Sequence, residues 1–90
     1  MYTIELVCDG CPKEVGEQAA KCITEEFRQR PWHQNVICRW DGENLRLEAT
    51  NDFDSEGKAL TDEFSDSISG CVAEGFEGDI RVGRITSEPD

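Results

Sequence analysis

Residues 2–8 alternate, with Tyr2, Ile4, Leu6 and Cys8 on one side and Thr3, Glu5 and Val7 on the other. This period of two predicts a half-buried strand. The rhythm changes after Asp9-Gly10, where Val15, Ala19, Cys22, Ile23 and Phe27 recur three and four residues apart opposite Glu14, Glu17, Lys21, Glu25 and Arg28. That stripe predicts a helix over residues 12–29, opened by Pro12 at a position where a missing N–H costs nothing and closed by Pro31. Val36, Cys38 and Trp40 then alternate with Ile37 and Arg39, and Leu45, Leu47 and Ala49 with Arg46 and Glu48. The intervening Asp41-Gly42-Glu43-Asn44 makes these two runs a hairpin. A turn-forming stretch over residues 51–57 leads into a second helical stripe, Leu60, Phe64, Ile68, Cys71 and Val72, expected to start near Ser55 and stop before Gly75. Ile80 and Val82 predict a last strand, and residues 84–90 a frayed tail.

The order βαββαβ predicts an α+β, ferredoxin-like domain: a four-stranded antiparallel sheet with both helices on one face. One such domain accounts for residues 1–90, with an ordered core over 2–83. A chain of this length has too little interior for two cores.

Charge narrows the partners. Twenty Asp and Glu against nine Lys and Arg give a formal net charge of -11, and the acids are spread along the chain. Nucleic-acid binding depends on cations that neutralise phosphates, so this composition argues against it, and against anionic membrane surfaces. It favours a basic protein surface as partner. With no run of apolar residues long enough to span a bilayer and no apolar leader before Tyr2, a cytoplasmic protein is expected.

Five cysteines include one Cys-x-x-Cys, Cys8-Asp9-Gly10-Cys11, where the first strand passes into the first helix. In a reducing compartment such a pair suits metal binding or redox chemistry better than a structural bridge. On an exposed loop beside the positive end of a helix, both thiols would be shifted toward the thiolate, the form that binds Cu(I) or Zn(II). Five cysteines in a chain this short also produce the spacing by chance about one time in five.

The stretch Leu6-Val7-Cys8-Asp9-Gly10-Cys11 and the later Gly75-Phe76, followed by Ile80 and Val82, resemble the heavy-metal-associated domain family of copper chaperones and metal-pump modules. The family carries Met-x-Cys-x-x-Cys in this loop, and Leu6 stands where it has Met; Pro12 after the second cysteine is uncommon there. The resemblance implies a carrier of soft metal, Cu(I) or Zn(II), with Cys8 and Cys11 as ligands and Phe76 as their apolar cover. It also implies handover to a thiol-bearing partner. Two other readings keep the same residues. In one, Cys8 and Cys11 cycle between dithiol and disulfide, with Cys8 as the exposed attacker. In the other, the pair is inert and the chain is an acidic interaction module, such as an inhibitor, immunity or regulatory protein.

The remaining residues suggest no catalytic set, so an enzyme is the less favoured reading. His33 lacks a second histidine or acid at ligand spacing and is expected on a surface loop. Cys22, Cys38 and Cys71 fall on inward sides and are expected to be buried and unbonded. Trp40 is expected to pack on the sheet and Trp32 to be an exposed contact. Glu25-Glu26 and Asp62-Glu63 are expected to be solvated helix faces.

Overall fold

A computed structural model describes residues 1–72 and 78–87. The elements follow the order β1 (Tyr2–Cys8), α1 (Lys13–Phe27), β2 (Gln34–Trp40), β3 (Leu45–Asn51), α2 (Lys58–Cys71) and β4 (Ile80–Ser87). The strands form one sheet in the order β2-β3-β1-β4, and every neighbouring pair is antiparallel. This is the ferredoxin-like arrangement expected from the periodicities. The strand β4 continues to Ser87, so the residues expected to fray from position 84 instead pair with β1 as far as Tyr2 opposite Ser87. Among the described residues no helix is long and apolar enough to cross a membrane.

The inward side of the sheet and the apolar stripes of both helices share one core. Ile4, Leu6, Leu45, Leu47 and Ala49 meet Ala19, Ile23 and Phe27 of α1 and Leu60, Phe64 and Ile68 of α2. The first helix approaches β2 closely because it has no side chain at Gly16: a Cβ there would come within 2.3 Å of the Trp40 ring. Thr24 fastens the same helix to the same strand. Its hydroxyl accepts the Cys38 N–H at 3.0 Å and donates to the Ala20 carbonyl at 2.9 Å.

The second helix starts without a capping side chain on the residue before it, which is Gly57 in the left-handed region. Asp54 supplies the cap from further back. Its buried carboxylate accepts the N–H groups of Ala59 at 3.2 Å and Leu60 at 2.9 Å, where the helix N-terminus leaves amides unpaired.

One expectation about the cysteines is overturned. Cys22 of α1 and Cys71 at the end of α2 are joined by a disulfide, and both are only half-buried. Their stripes are the ones that face each other where the two helices pack, and burial on a common interface brings the sulfurs together. Cys38 alone of the three is a free buried thiol. Closing a chain across a sequence separation of 49 removes much of the unfolded state's freedom, by about 4 kcal/mol on the entropic account. Replacing both Cys22 and Cys71 with Ser is therefore expected to lower unfolding stability in urea by about 2–4 kcal/mol while leaving the far-ultraviolet circular dichroism unchanged. An unchanged urea midpoint would show that the bond contributes nothing.

Candidate functional site

Cys8 is the last residue of β1, opposite Leu45 on one neighbour and Ile80 on the other. It faces the same side as Ile4 and Leu6, and this decides its environment: Cys8 is 1% exposed and Cys11 7%. The pair is thus part of the core edge, which corrects the expectation of an exposed loop. The loop itself is pinned at Asp9, whose N–H donates to the Asp79 carbonyl at 3.1 Å and whose carboxylate accepts the Asp79 N–H at 2.8 Å. Arg81 pairs with the same carboxylate at 3.5 Å.

Burial governs the chemistry of these thiols. Desolvation pushes Cys8 up to about 11 from 9.0, with the carboxylates of Asp9 and Asp79 and the neighbouring Cys11 adding to it. Cys11 is raised by burial alone. Cys38, on β2, is pushed up to about 12, first by burial and then by Cys8 and Cys11. The expected lowering by the helix terminus is outweighed by burial and by the nearby acids. Protonated, buried thiols are poor nucleophiles, which disfavours Cys8 as an exposed redox attacker.

As a donor set, Cys8 and Cys11 supply two sulfurs, fewer than the roughly four ligands of a closed zinc site. Among the described residues no group of three or more His, Cys, Asp or Glu side chains is placed to hold a metal ion. Phe76, the expected apolar cover, lies outside the described residues.

A second cluster, at His33, is the feature the sequence did not reveal. His33 is 5% exposed, in contrast to the surface position expected for it. Its ring lies among Phe27, Trp32 and Phe53, with centroids 5.9, 6.2 and 5.9 Å away. Both nitrogens are hydrogen-bonded: Nδ1 to the Asn51 amide nitrogen at 3.2 Å and Nε2 to the Glu63 carboxylate. Glu63 also accepts the Trp32 indole N–H at 3.0 Å and lies 3.4 Å from Arg30 Nε. It is therefore a junction between α2 and the α1–β2 loop, in contrast to the solvated helix face expected of it.

The signal for this cluster was faint. A lone histidine between Trp32 and Gln34 has no local period, and its partners lie 18 and 30 positions away. Trp32 itself is half-exposed, as expected of a contact residue, and Trp40 packs against the core.

Compared with known proteins, the chain matches no family model, no curated relative and no solved structure. The resemblance to heavy-metal-associated domains rests on the cysteine spacing, the order of elements and Gly75-Phe76, which lies outside the described residues.

Raised thiol pKa values tie stability to alkaline pH. Below about pH 9 the thiols are protonated in both the folded and the unfolded chain, and the stabilisation they share with the fold is complete. Between 9.0 and about 11 to 12 the unfolded chain gives up protons that the folded chain retains, so stability falls as pH rises through that window. Urea midpoints are expected to decline from pH 9 to 11 in wild type and to decline less in Cys8→Ala/Cys38→Ala. In the native state at pH 7.5, iodoacetamide is expected to modify Cys8, Cys11 and Cys38 much more slowly than in urea. Rapid native alkylation of all three would contradict their burial.

Proposed function

We propose that this domain is an acidic protein–protein interaction module that docks onto a basic partner surface. The distribution of its charge carries this reading. Within the two helices Asp and Glu outnumber Lys seven to three: Glu14, Glu17, Glu25, Glu26, Asp62, Glu63 and Asp66 against Lys13, Lys21 and Lys58. The strand arginines are on the opposite face. Arg39 is opposite Arg46, and Val7 and Arg81 continue that row outward across the sheet, while Arg84 stands opposite Glu5. Several of these arginines are already paired. Arg46 contacts Asp41 at 2.6 Å and Glu5 at 3.2 Å, and Arg39 lies 3.8 Å from Glu48. Asp41 is held down at about 2 by the Arg46 hydrogen bond and two backbone N–H groups, as in a settled ion pair.

The negative field is thereby concentrated on the helix layer, where it would steer a cationic surface toward the domain and set the orientation of approach. The thiols' burial supports the same reading, because an interaction module needs no accessible sulfur.

Soft-metal binding is the second reading, favoured by the two free thiols Cys8 and Cys11 at the end of β1. Cys8 and Cys11 would hold Cu(I), with a thiol-bearing partner receiving it, and the acids at Asp9 and Asp79 would favour a cation. Its signature is one Cu(I) per reduced chain in native mass spectrometry against a competing chelator, lost in Cys8→Ser/Cys11→Ser; a chain that takes up no Cu(I) sinks it. A cytoplasmic setting, expected from the sequence, would keep Cys22 and Cys71 as thiols, so the redox state of that pair in cells reports the compartment.

The main proposal is tested by neutralising the helix layer. In affinity capture from source cells, the wild-type chain is expected to retain a discrete basic protein, released by about 0.5 M salt as charges are screened. A variant with Glu14→Gln, Glu17→Gln, Asp62→Asn and Asp66→Asn is expected to lose it. Equal retention by that variant, or retention indifferent to salt, would count against a charge-directed partner.

A further inference from the structure

Two large aromatic side chains stand half in solvent over the buried His33. Trp32 is 50% exposed and Phe53 51%, and they flank the same imidazole. Neither is loosely attached. The Trp32 indole N–H is bonded to Glu63, which the His33 ring and Arg30 also engage. The backbone N–H of Phe53 donates to the Asn51 side-chain oxygen at 3.2 Å. An aromatic face held in one orientation before binding loses little freedom when a partner covers it, and tryptophan is the residue most enriched where binding energy concentrates.

The surrounding charge identifies what would lie on it. Asp52 beside Phe53 and Asp62 beside Glu63 are exposed acids, while Glu56 in the following turn pairs with Lys58 at 2.9 Å and Arg30 is engaged by Glu26 and Glu63. Arg30 lies over Phe27, 5.2 Å from its ring centroid, and among the described residues no cation stacks on the Trp32 ring. A neutral apolar side chain would cover the ring but leave Asp52 and Asp62 without a cation. A guanidinium satisfies both, by stacking on the indole and by pairing with a carboxylate at its edge.

We propose that the Trp32–Phe53 ledge is a docking site for an arginine-bearing segment of a partner protein, with the guanidinium seated on the Trp32 face. This rests on the interaction-module reading and adds to it the contact point and the residue type that fills it. The open face of the sheet is a weaker site, because Arg39, Arg46 and Arg81 are matched within the chain.

The probe is the peptide acetyl-Arg-Leu-Arg-Arg-amide, with a citrulline analogue that keeps the shape and removes the charge. Added to the full 15N-labelled chain at about 50 mM salt, where charges act over more than 10 Å, the arginine peptide is expected to shift the Trp32 indole and Phe53 amide signals saturably. The citrulline peptide is expected not to. Trp32→Ala is expected to weaken binding about tenfold or more, and Trp32→Phe to restore part of it. Because Trp32→Ala removes a Glu63 partner, Phe53→Ala, which leaves the Glu63 bonds in place, serves as the second variant and is also expected to weaken binding. Saturable shifts confined to the carboxylate-bearing helix residues, with Trp32 unmoved, would overturn the ledge and leave the interaction module standing. No saturable shift anywhere would overturn both.

Discussion

The buried imidazole of His33 is the point on which one whole end of the domain depends. Its hydrogen bonds form a closed circuit. Asn51, the last residue of β3, commits its side-chain oxygen to the N–H groups of Phe53 and Asp54, so its amide nitrogen faces His33 Nδ1. That assignment follows from the hydrogen-bond network and makes Nδ1 an acceptor, leaving Nε2–H to donate to Glu63. Glu63 belongs to α2, and the N-terminus of α2 is capped by Asp54, whose own N–H is held by Asn51. A strand end, a loop and a helix are thus tied together by side-chain hydrogen bonds. Breaking one bond in such a buried circuit leaves an unpaired polar group, which costs more than the bond itself contributes.

Two further devices hold the layers where the small core alone would be marginal. The disulfide between Cys22 and Cys71 ties the helices together on their shared face. Gly16 and Thr24 bring α1 down onto β2, one by yielding space to Trp40 and the other by bonding the Cys38 backbone. The free thiols are consequently enclosed. The two thiols with the most recognisable spacing in the sequence are buried, while the accessible aromatic features stand over the His33 circuit.

How much of this was legible depended on the distance over which each feature is encoded. The strands and helices came from residues two to four positions apart and were read nearly to their ends, apart from β4, whose continuation through Thr86 and Ser87 depends on pairing with Thr3 and Tyr2. The burial of Cys8 was present in the pattern, since it alternates in phase with Ile4 and Leu6; the loop position of the motif obscured it. The Cys22–Cys71 bond and the His33 circuit were not legible. Each joins elements whose relative placement is fixed only once both helices have packed, and a lone histidine carries no period that marks it as interior.

The buried circuit holds Trp32 in place before any partner arrives, and the mobility of its indole N–H reports this directly. Its 15N order parameter is expected to match ordered backbone, about 0.8 or higher, despite half the side chain standing in solvent. A value below about 0.6, typical of a freely moving surface group, would contradict it.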